Sequence, residues 1–208
     1  MKYVKSLLLT LPLATSLYSQ SPEQKLHSAS EVVIKEQVIS WGKAYNVYVD
    51  DERVATVNGK NVVWWADNFT LKTIDNKVLA SEHEHKRILS YNRAASVYNK
   101  NSQPDGFICE QYWEDFFNWN HLFHIFDASQ KEIGKTETTT FSVLDKIDVY
   151  DAQGNTDYQI NENINLVTDE YSIRVFDRNS PISIEKVILL ACIEDAIKDA
   201  AKEKSSDD

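Results

Sequence analysis

A pattern of large apolar residues recurs at a nearly constant interval and constrains the fold more than any other feature of the sequence. Six segments each contain three positions that are mostly large and apolar. The second position comes two residues after the first, and the third comes four residues after the second. The third members stand at positions 45, 69, 95, 123, 147 and 171, a period that indicates repeated supersecondary units. The six trios are Ile39/Trp41/Tyr45, Val63/Trp65/Phe69, Leu89/Tyr91/Ala95, Phe117/Trp119/Phe123, Phe141/Val143/Ile147 and Asn165/Val167/Tyr171.

Each unit has the pattern of a β-hairpin. After the third member, apolar residues alternate with polar ones, as in Tyr45, Val47 and Val49, which is typical of a half-buried strand. Acidic or amide residues suited to turns follow, and a second apolar strand comes after most of these turns. The turn residues lie at 50–51, 75–76, 99–101, 127, 151–154 and 177–179. Six units predict about twelve antiparallel strands, and closing them into a barrel removes the exposed sheet edges.

The C-terminal segment predicts a helix that fills this barrel. It follows Pro181 and Ser183, and residues 187–193 are apolar on every side, which for a helix indicates burial all round. Beyond Glu194 the apolar stripe narrows, so we expect the helix to emerge into water there. The predicted fold class is mostly β (α+β), an antiparallel barrel of about twelve strands and six hairpin repeats closed around a hydrophobic C-terminal helix.

Residues 1–19 have the layout of a secretory signal peptide. Two lysines precede an apolar run from Leu7 to Leu17, which is shorter than the roughly 18 to 20 residues that span a bilayer. We expect cleavage after Ser19, with Ser16 as the alternative, and an exported protein that is periplasmic or secreted. The remaining chain divides into a flexible N-terminal segment at 20–30, the barrel domain at 31–201 and a disordered acidic tail at 202–208.

The chain resembles the LURP-one-related family, which belongs to the tubby C-terminal-like and phospholipid scramblase-like superfamily. The resemblance lies in the opening VVIKEQVISWGKAYNVYVDDERVATVNGK, in the repeated hairpins and in the closing VILLACIEDAI, and it spans residues 32–197. It implies an exported bacterial member with a twelve-stranded barrel around a hydrophobic C-terminal helix. Tubby-type members bind phosphoinositides, and scramblase-type members respond to calcium and move lipid. No motif of either kind of site matches this sequence residue by residue, so the resemblance implies no site residue.

The most aromatic part of the chain, at 106–126, supplies the candidate contact surface. Its repeat positions are assigned to the core, and the surplus aromatic residues coincide with the longest interval between units. These surplus residues are Tyr112, Trp113 and Phe116. We expect Trp113 to be more exposed than the tryptophans at repeat positions, which are Trp41, Trp65 and Trp119.

Two other polar clusters have simpler interpretations than a metal site. His83 and His85 can face the same way on a strand, and a third ligand would come from His121 or His124, but the charged neighbours are typical of a solvated strand end. Asp148, Asp151, Gly154 and Asn155 lack the spacing of an EF-hand loop and are the residue types that hairpin turns need. We therefore predict no metal site.

The sequence contains no GxSxG, P-loop, HExxH or glycine-rich dinucleotide motif, so we predict no catalytic residue, no cofactor and no enzyme. The formal charge is −10, and cleavage would remove two lysines and leave −12. This charge argues against nucleic acid and anionic lipid as general partners.

The expected function is a non-enzymatic binding or interaction module of the bacterial envelope or secreted space, with an unidentified protein or lipid as its partner. The alternative is a lipid-associated protein that acts at a membrane surface or resembles a scramblase. The ligand, the oligomeric state and the choice between periplasm and exterior have no signature in this sequence.

We expect that Cys109 and Cys192 do not form a disulfide, although export would permit one. Cys192 lies in the all-apolar part of the helix, where a thiol behaves as a small hydrophobe. A bridge would need two Cα atoms within about 7 Å and convergent Cβ vectors, a demanding condition for one strand position among twelve strands.

The helix should be essential for folding. Truncation before Val187 removes several large apolar side chains, each contributing roughly 2 kcal/mol or more, which together exceed the stability of a typical domain. The truncated protein should be insoluble or unfolded, as judged by solubility and thermal unfolding. A soluble truncation with a sharp thermal transition would contradict the predicted barrel and its internal helix.

Overall fold

In a computed structural model of the chain, twelve strands form one closed antiparallel barrel. The structure describes residues 20–37, 43–61, 67–86, 93–111, 122–141, 144–164 and 169–206. The elements are α1 (Pro22–Ser28), β1 (Glu31–Glu36), β2 (Ala44–Val49), β3 (Glu52–Asn61), β4 (Asp67–Thr73), β5 (Val78–Lys86), β6 (Arg93–Asn99), β7 (Pro104–Gln111), β8 (Leu122–Phe126), β9 (Glu132–Phe141), β10 (Leu144–Asp151), β11 (Thr156–Ile164), β12 (Asp169–Val175) and α2 (Ile184–Ser206). The predicted mostly β fold, with a twelve-stranded antiparallel barrel and a C-terminal helix, is confirmed.

The third member of every repeat trio lies inside the barrel. Each stands near the start of an even-numbered strand, and none is more than 4% exposed. These residues are Tyr45, Phe69, Ala95, Phe123, Ile147 and Tyr171. The other two members of each trio lie outside the residues whose side chains the structure describes.

Four hairpin turns share one geometry, at 73–77, 99–103, 127–131 and 151–155. In each, the first residue donates its N–H to the carbonyl of the fifth, and the fourth has a positive φ between 57° and 88°. Asn99, Asp127 and Asp151 begin three of these turns, and each side chain accepts hydrogen bonds from the third and fifth N–H groups. Asp50 and Asp51, both with positive φ, join β2 to β3. We call this end of the barrel the turn end and the opposite end the mouth.

The sixth repeat unit is completed by the start of the chain. Its first strand, β12, pairs with β11 and with β1, and β1 also pairs with β2 to close the barrel. The turn expected at 177–179 leads into α2 and not into a second strand, which corrects the prediction of six consecutive hairpins. The chain must leave the wall at this point because its next segment enters the interior.

Helix α2 fills the barrel, as predicted, but its buried part is longer than expected. Residues Val187–Cys192 are at most 1% exposed. Glu194 and Asp195 are each 1% exposed, so the prediction that the helix emerges into water beyond Glu194 is wrong. Polar groups of the wall at the mouth bond Asp195, which keeps this part of α2 inside the barrel. The helix also continues through Ser206, into the predicted disordered tail at 202–208, and its alanines and lysines favour that continuation.

Within the described ranges, neither helix combines the length and the apolar character that crossing a membrane requires.

The segment predicted to be flexible, at 20–30, contains helix α1. Ser21 and Gln24 form a capping box at its start, and Leu26 is buried. Ion pairs connect α1 to the turn end of the barrel, with Glu23 bonded to Lys77 and Lys100. The sequence analysis missed this helix because seven residues are too few for a periodic apolar pattern, and the helix depends on tertiary contacts.

The ion pair between His27 and Glu185, with 2.6 Å between Nε2 and Oε1, joins α1 to the first turn of α2. Its hydrogen bond to Glu185 raises the pKa of His27 above the ordinary value of about 6.5. Burial acts to raise the pKa of Glu185, but the bond to His27 outweighs it and leaves that pKa below its ordinary value of about 4.5.

The contribution of this pair to stability should therefore be largest between about pH 4.5 and 6.5 and should fade as the pH rises through the raised pKa of His27. His27→Gln should lower the free energy of unfolding by less than about 1 kcal/mol at pH 6, because the imidazole is half exposed. The difference from the unmodified protein should shrink by pH 8.5, as measured by urea unfolding. Glu185→Gln should remove the same pH dependence, and a difference that stays constant with pH would contradict the assignment.

Candidate functional site

The residues predicted as a contact surface, Tyr112, Trp113 and Phe116, lie outside the described residues, in the segment between β7 and β8. The tryptophans whose burial the repeat predicts also lie outside them. The strands on either side of this segment are described, and their outward side chains form a surface of their own.

An aromatic surface covers the outside of β6, β7 and β8. Its residues alternate along each strand with buried ones, so they face away from the barrel interior. The members of this surface, which we call the β6–β8 face, are Ala94, Ser96, Tyr98, Phe107, Cys109, Leu122, His124 and Phe126. Phe107 and Phe126 stack across β7 and β8, with ring centroids 4.4 Å apart and planes 13° apart. The ring of Tyr98 meets His83 of β5 edge to face at 5.4 Å.

The β6–β8 face differs from other parts of the wall in its charge. None of its eight members is Asp, Glu, Lys or Arg, in a chain of which 26% of residues are charged. Outward positions on other strands carry ion pairs, which include Lys35–Glu170, Lys135–Glu137 and Lys146–Asp148. An outward surface that combines half-buried aromatic rings with the lack of these four charged residue types is characteristic of a contact site.

The sequence contained a signal for this face that the repeat analysis did not use. Phe107 and Phe126 stand next to the buried residues Ile108 and Ile125, so strict alternation places both phenylalanines outside. The repeat positions point inward and so do not identify this face, and the surplus aromatic residues predicted from the repeat lie only in the insertion between the strands.

The described histidines do not converge on a metal site. His83 Nδ1 lies 2.8 Å from Asn68 Oδ1 on β4, and His124 Nδ1 lies 3.0 Å from Glu132 Oε1 on β9. Strands β6 and β7 separate β5 from β8. The side chain of His85 and the whole of His121 lie outside the described part of the chain.

Asp151 and Asp148, which were considered as calcium ligands, form hydrogen bonds within a turn and on a strand surface. Asp151 accepts hydrogen bonds from the side chain of Asn155 and from the backbone of Gln153 and Asn155. These bonds, the side-chain bond most of all, lower the pKa of Asp151. Asp148 lies on β10 and bonds Gln159 at 2.8 Å. These bonds agree with the prediction of a hairpin turn.

A second polar cluster lies inside the barrel at its mouth, around Asp195 of α2. The hydroxyl groups of Tyr45 and Tyr171 each donate to a different Asp195 oxygen at 2.6 Å. The ammonium group of Lys43 also bonds Asp195 and lies 2.7 Å from Asp199. We call these residues the Asp195 cluster.

The electrostatics of the Asp195 cluster stabilise the charged carboxylate. Burial acts to raise the pKa of Asp195, but Lys43 and the hydrogen bonds from Lys43, Tyr171 and Tyr45 outweigh it and leave that pKa below its ordinary value. Burial raises the pKa of both tyrosines, so their hydroxyl groups remain protonated donors. The Asp195 carboxylate thus connects α2 to both β2 and β12.

One carboxylate group of the described residues is compact enough to consider as a metal centre, formed by Glu36, Asp195 and Asp199 within 4.8 Å of one another. Lys43 already contacts two of these three acids, so its ammonium group takes the place that a cation would occupy. We therefore interpret the group as a structural ion network that anchors α2.

The two cysteines form no disulfide with each other, as predicted. Cys192 is buried in α2, whereas Cys109 is half-buried and faces outward on β7, opposite His124. The barrel wall separates the two thiols, which explains why they do not pair.

No protein-family model, no curated protein and no solved structure matches the chain. The resemblance to the LURP-one-related family therefore stays a prediction.

Removing the central carboxylate of the Asp195 cluster should strongly destabilise the protein. Asp195→Ala leaves Lys43 and two buried hydroxyl groups without this partner, so we expect a loss of about 3 kcal/mol or more in the free energy of unfolding. Tyr45→Phe and Tyr171→Phe should each cost about 1 kcal/mol. Urea unfolding measures all three.

The matched control is Glu137→Ala, which removes the acid of the exposed Lys135 pair and should cost less than about 1 kcal/mol. Equal losses for Asp195→Ala and Glu137→Ala would show that the cluster does not anchor α2.

Proposed function

We propose that the protein is a non-enzymatic binding module of the bacterial envelope or secreted space. The observation that carries this proposal is the β6–β8 face, an outward surface with stacked and edge-to-face aromatic rings and no Asp, Glu, Lys or Arg among its members. A strongly acidic protein has little reason to maintain such a surface unless a partner covers it.

The interior supports a binding role more than a catalytic one. Helix α2 occupies the barrel with the apolar residues Val187–Cys192, and the polar groups of the Asp195 cluster bond one another. A reactive site would need an accessible pocket with polar groups directed at a substrate, and these groups are directed at the helix.

The alternative, a lipid-associated protein, draws on the same face. Aromatic rings whose neighbouring acid, Glu132, is bonded to His124 can lie against the interface of a neutral bilayer, whereas net negative charge disfavours an anionic one. The proposed export to the periplasm or exterior would bring the face to either kind of partner.

A single charge placed in the middle of the face should abolish binding. Ser96 lies on β6 between His83 and Phe107, and Ser96→Lys would put an ammonium group into any contact made there. Burying that group unpaired costs far more than a protein–protein contact can absorb. The mature protein carrying Ser96→Lys should lose partners that the unmodified protein captures from the native envelope.

Ser172→Lys is the matched control, because Ser172 is also a half-buried, outward serine, on β12 between Val33 and Asn161. It should leave capture unchanged. Equal capture by the two variants would contradict the β6–β8 face as the binding surface. Flotation with neutral vesicles addresses the alternative, which is supported if the unmodified protein and Ser172→Lys float and Ser96→Lys does not.

A further inference from the structure

Two places in the barrel wall have unusually short ladders between neighbouring strands. Between β4 and β5 the ladder contains three residue pairs and ends at Thr70 and Ser81. Between β8 and β9 it also contains three pairs and ends at His124 and Lys135. Among the described residues, every other neighbouring pair of strands has four to eight pairs. We call these two places the seams, and both ladders end on the mouth side.

At each seam, a side chain accepts the backbone N–H that lies just beyond the end of the ladder. At the first, Glu82 of β5 accepts the backbone N–H of Phe69 at 3.0 Å. At the second, Thr136 of β9 accepts the backbone N–H of Phe123 at 2.9 Å. The spacing from donor to acceptor is 13 residues in both cases, so the two seams have equivalent structures.

A small cavity lies between α2 and strands β4 to β8, so it includes the first seam and the four strands between the seams. Ala95 of β6 stands at a repeat position where the other five units have Tyr, Phe or Ile, and the missing volume lies between Phe69, Phe123 and Ile197. The cavity has about 30 Å³, which is room for about two water molecules. Strands β5 to β8 are therefore less tightly packed against α2 than they would be with a large side chain at position 95.

We propose that β5–β8 form a movable panel of the barrel wall, which opens at the mouth by separating at both seams. Ladders of five to seven pairs hold these four strands to one another, with seven pairs between β5 and β6 and five at each of the other two junctions. The panel therefore moves as a unit, while the tight hairpin turns hold it at the turn end. This inference concerns motion of the wall and does not depend on which partner binds the outer face.

The buried thiol of Cys192 can report this motion. Cys192 is buried inside the barrel, next in sequence to Ile193, which lines the cavity. Burial, and then the nearby carboxylates of Asp195 and Glu82, raise the pKa of this thiol. Opening of the panel would expose the thiol to a small alkylating reagent without unfolding the rest of the domain.

The experiment measures the rate at which Cys192 is alkylated in native buffer. All variants carry Cys109→Ala to remove the half-exposed outer thiol. In this background the rate should change little with low urea concentrations, because local opening exposes little surface. Adding Thr136→Val deletes the acceptor at the second seam and should raise the rate about fivefold, the factor for one hydrogen bond of ordinary net strength.

Thr73→Val is the matched control. Thr73 is also buried, and its hydroxyl group accepts the backbone N–H of Lys77 at 3.1 Å, but at the turn end of the barrel. It should leave the alkylation rate unchanged. The panel is refuted if Thr136→Val has no effect, if both variants raise the rate equally, or if Cys192 reacts only through global unfolding. If Thr136→Val does not fold, the urea dependence in the Cys109→Ala background decides the question.

Discussion

The need to fill a closed twelve-stranded barrel governs the rest of this structure. Side chains of the wall cannot reach the axis of so wide a barrel, so a helix must occupy it. Residues Val187–Cys192 of α2 meet this need with apolar side chains alone. The helix then carries Asp195 into the interior, and the burial of this carboxylate is tolerable because Tyr45, Tyr171 and Lys43 surround it.

The sequence predicted those features that depend on local pattern. Inward third members, acidic turns and the apolar helix were all readable because period-two alternation and turn chemistry act within a few residues. The pairing of β1 with β12 could not be predicted, because β1 precedes the first repeat unit and β12 lies at the other end of the chain's series of strands. Likewise, Tyr45 and Tyr171 looked like ordinary core residues, and only the fold brings both hydroxyl groups to one carboxylate.

Irregularities of the repeat coincide with the panel. The third members of the trios are evenly spaced along the chain except on either side of Ala95, where both intervals are longer. Ala95 is also the smallest third member, and the two short ladders lie in the hairpins before and after its own. The other five units thus have full-sized third members, whereas the unit of Ala95 departs from the rest in both the size of this residue and the spacing on either side of it.

The same strands carry the outer face and the inner cavity, and this makes the two properties physically linked. On β6, Ala95 faces the cavity while Ser96 and Ala94 face outward, and on β7, Ile108 faces inward next to Phe107. A partner on the β6–β8 face would contact strands that move together. If it bound the closed and open panel with different affinity, it would shift the balance between them by that difference and by nothing else. On these two proposals, binding at the outer face and packing against α2 would be coupled through β5–β8.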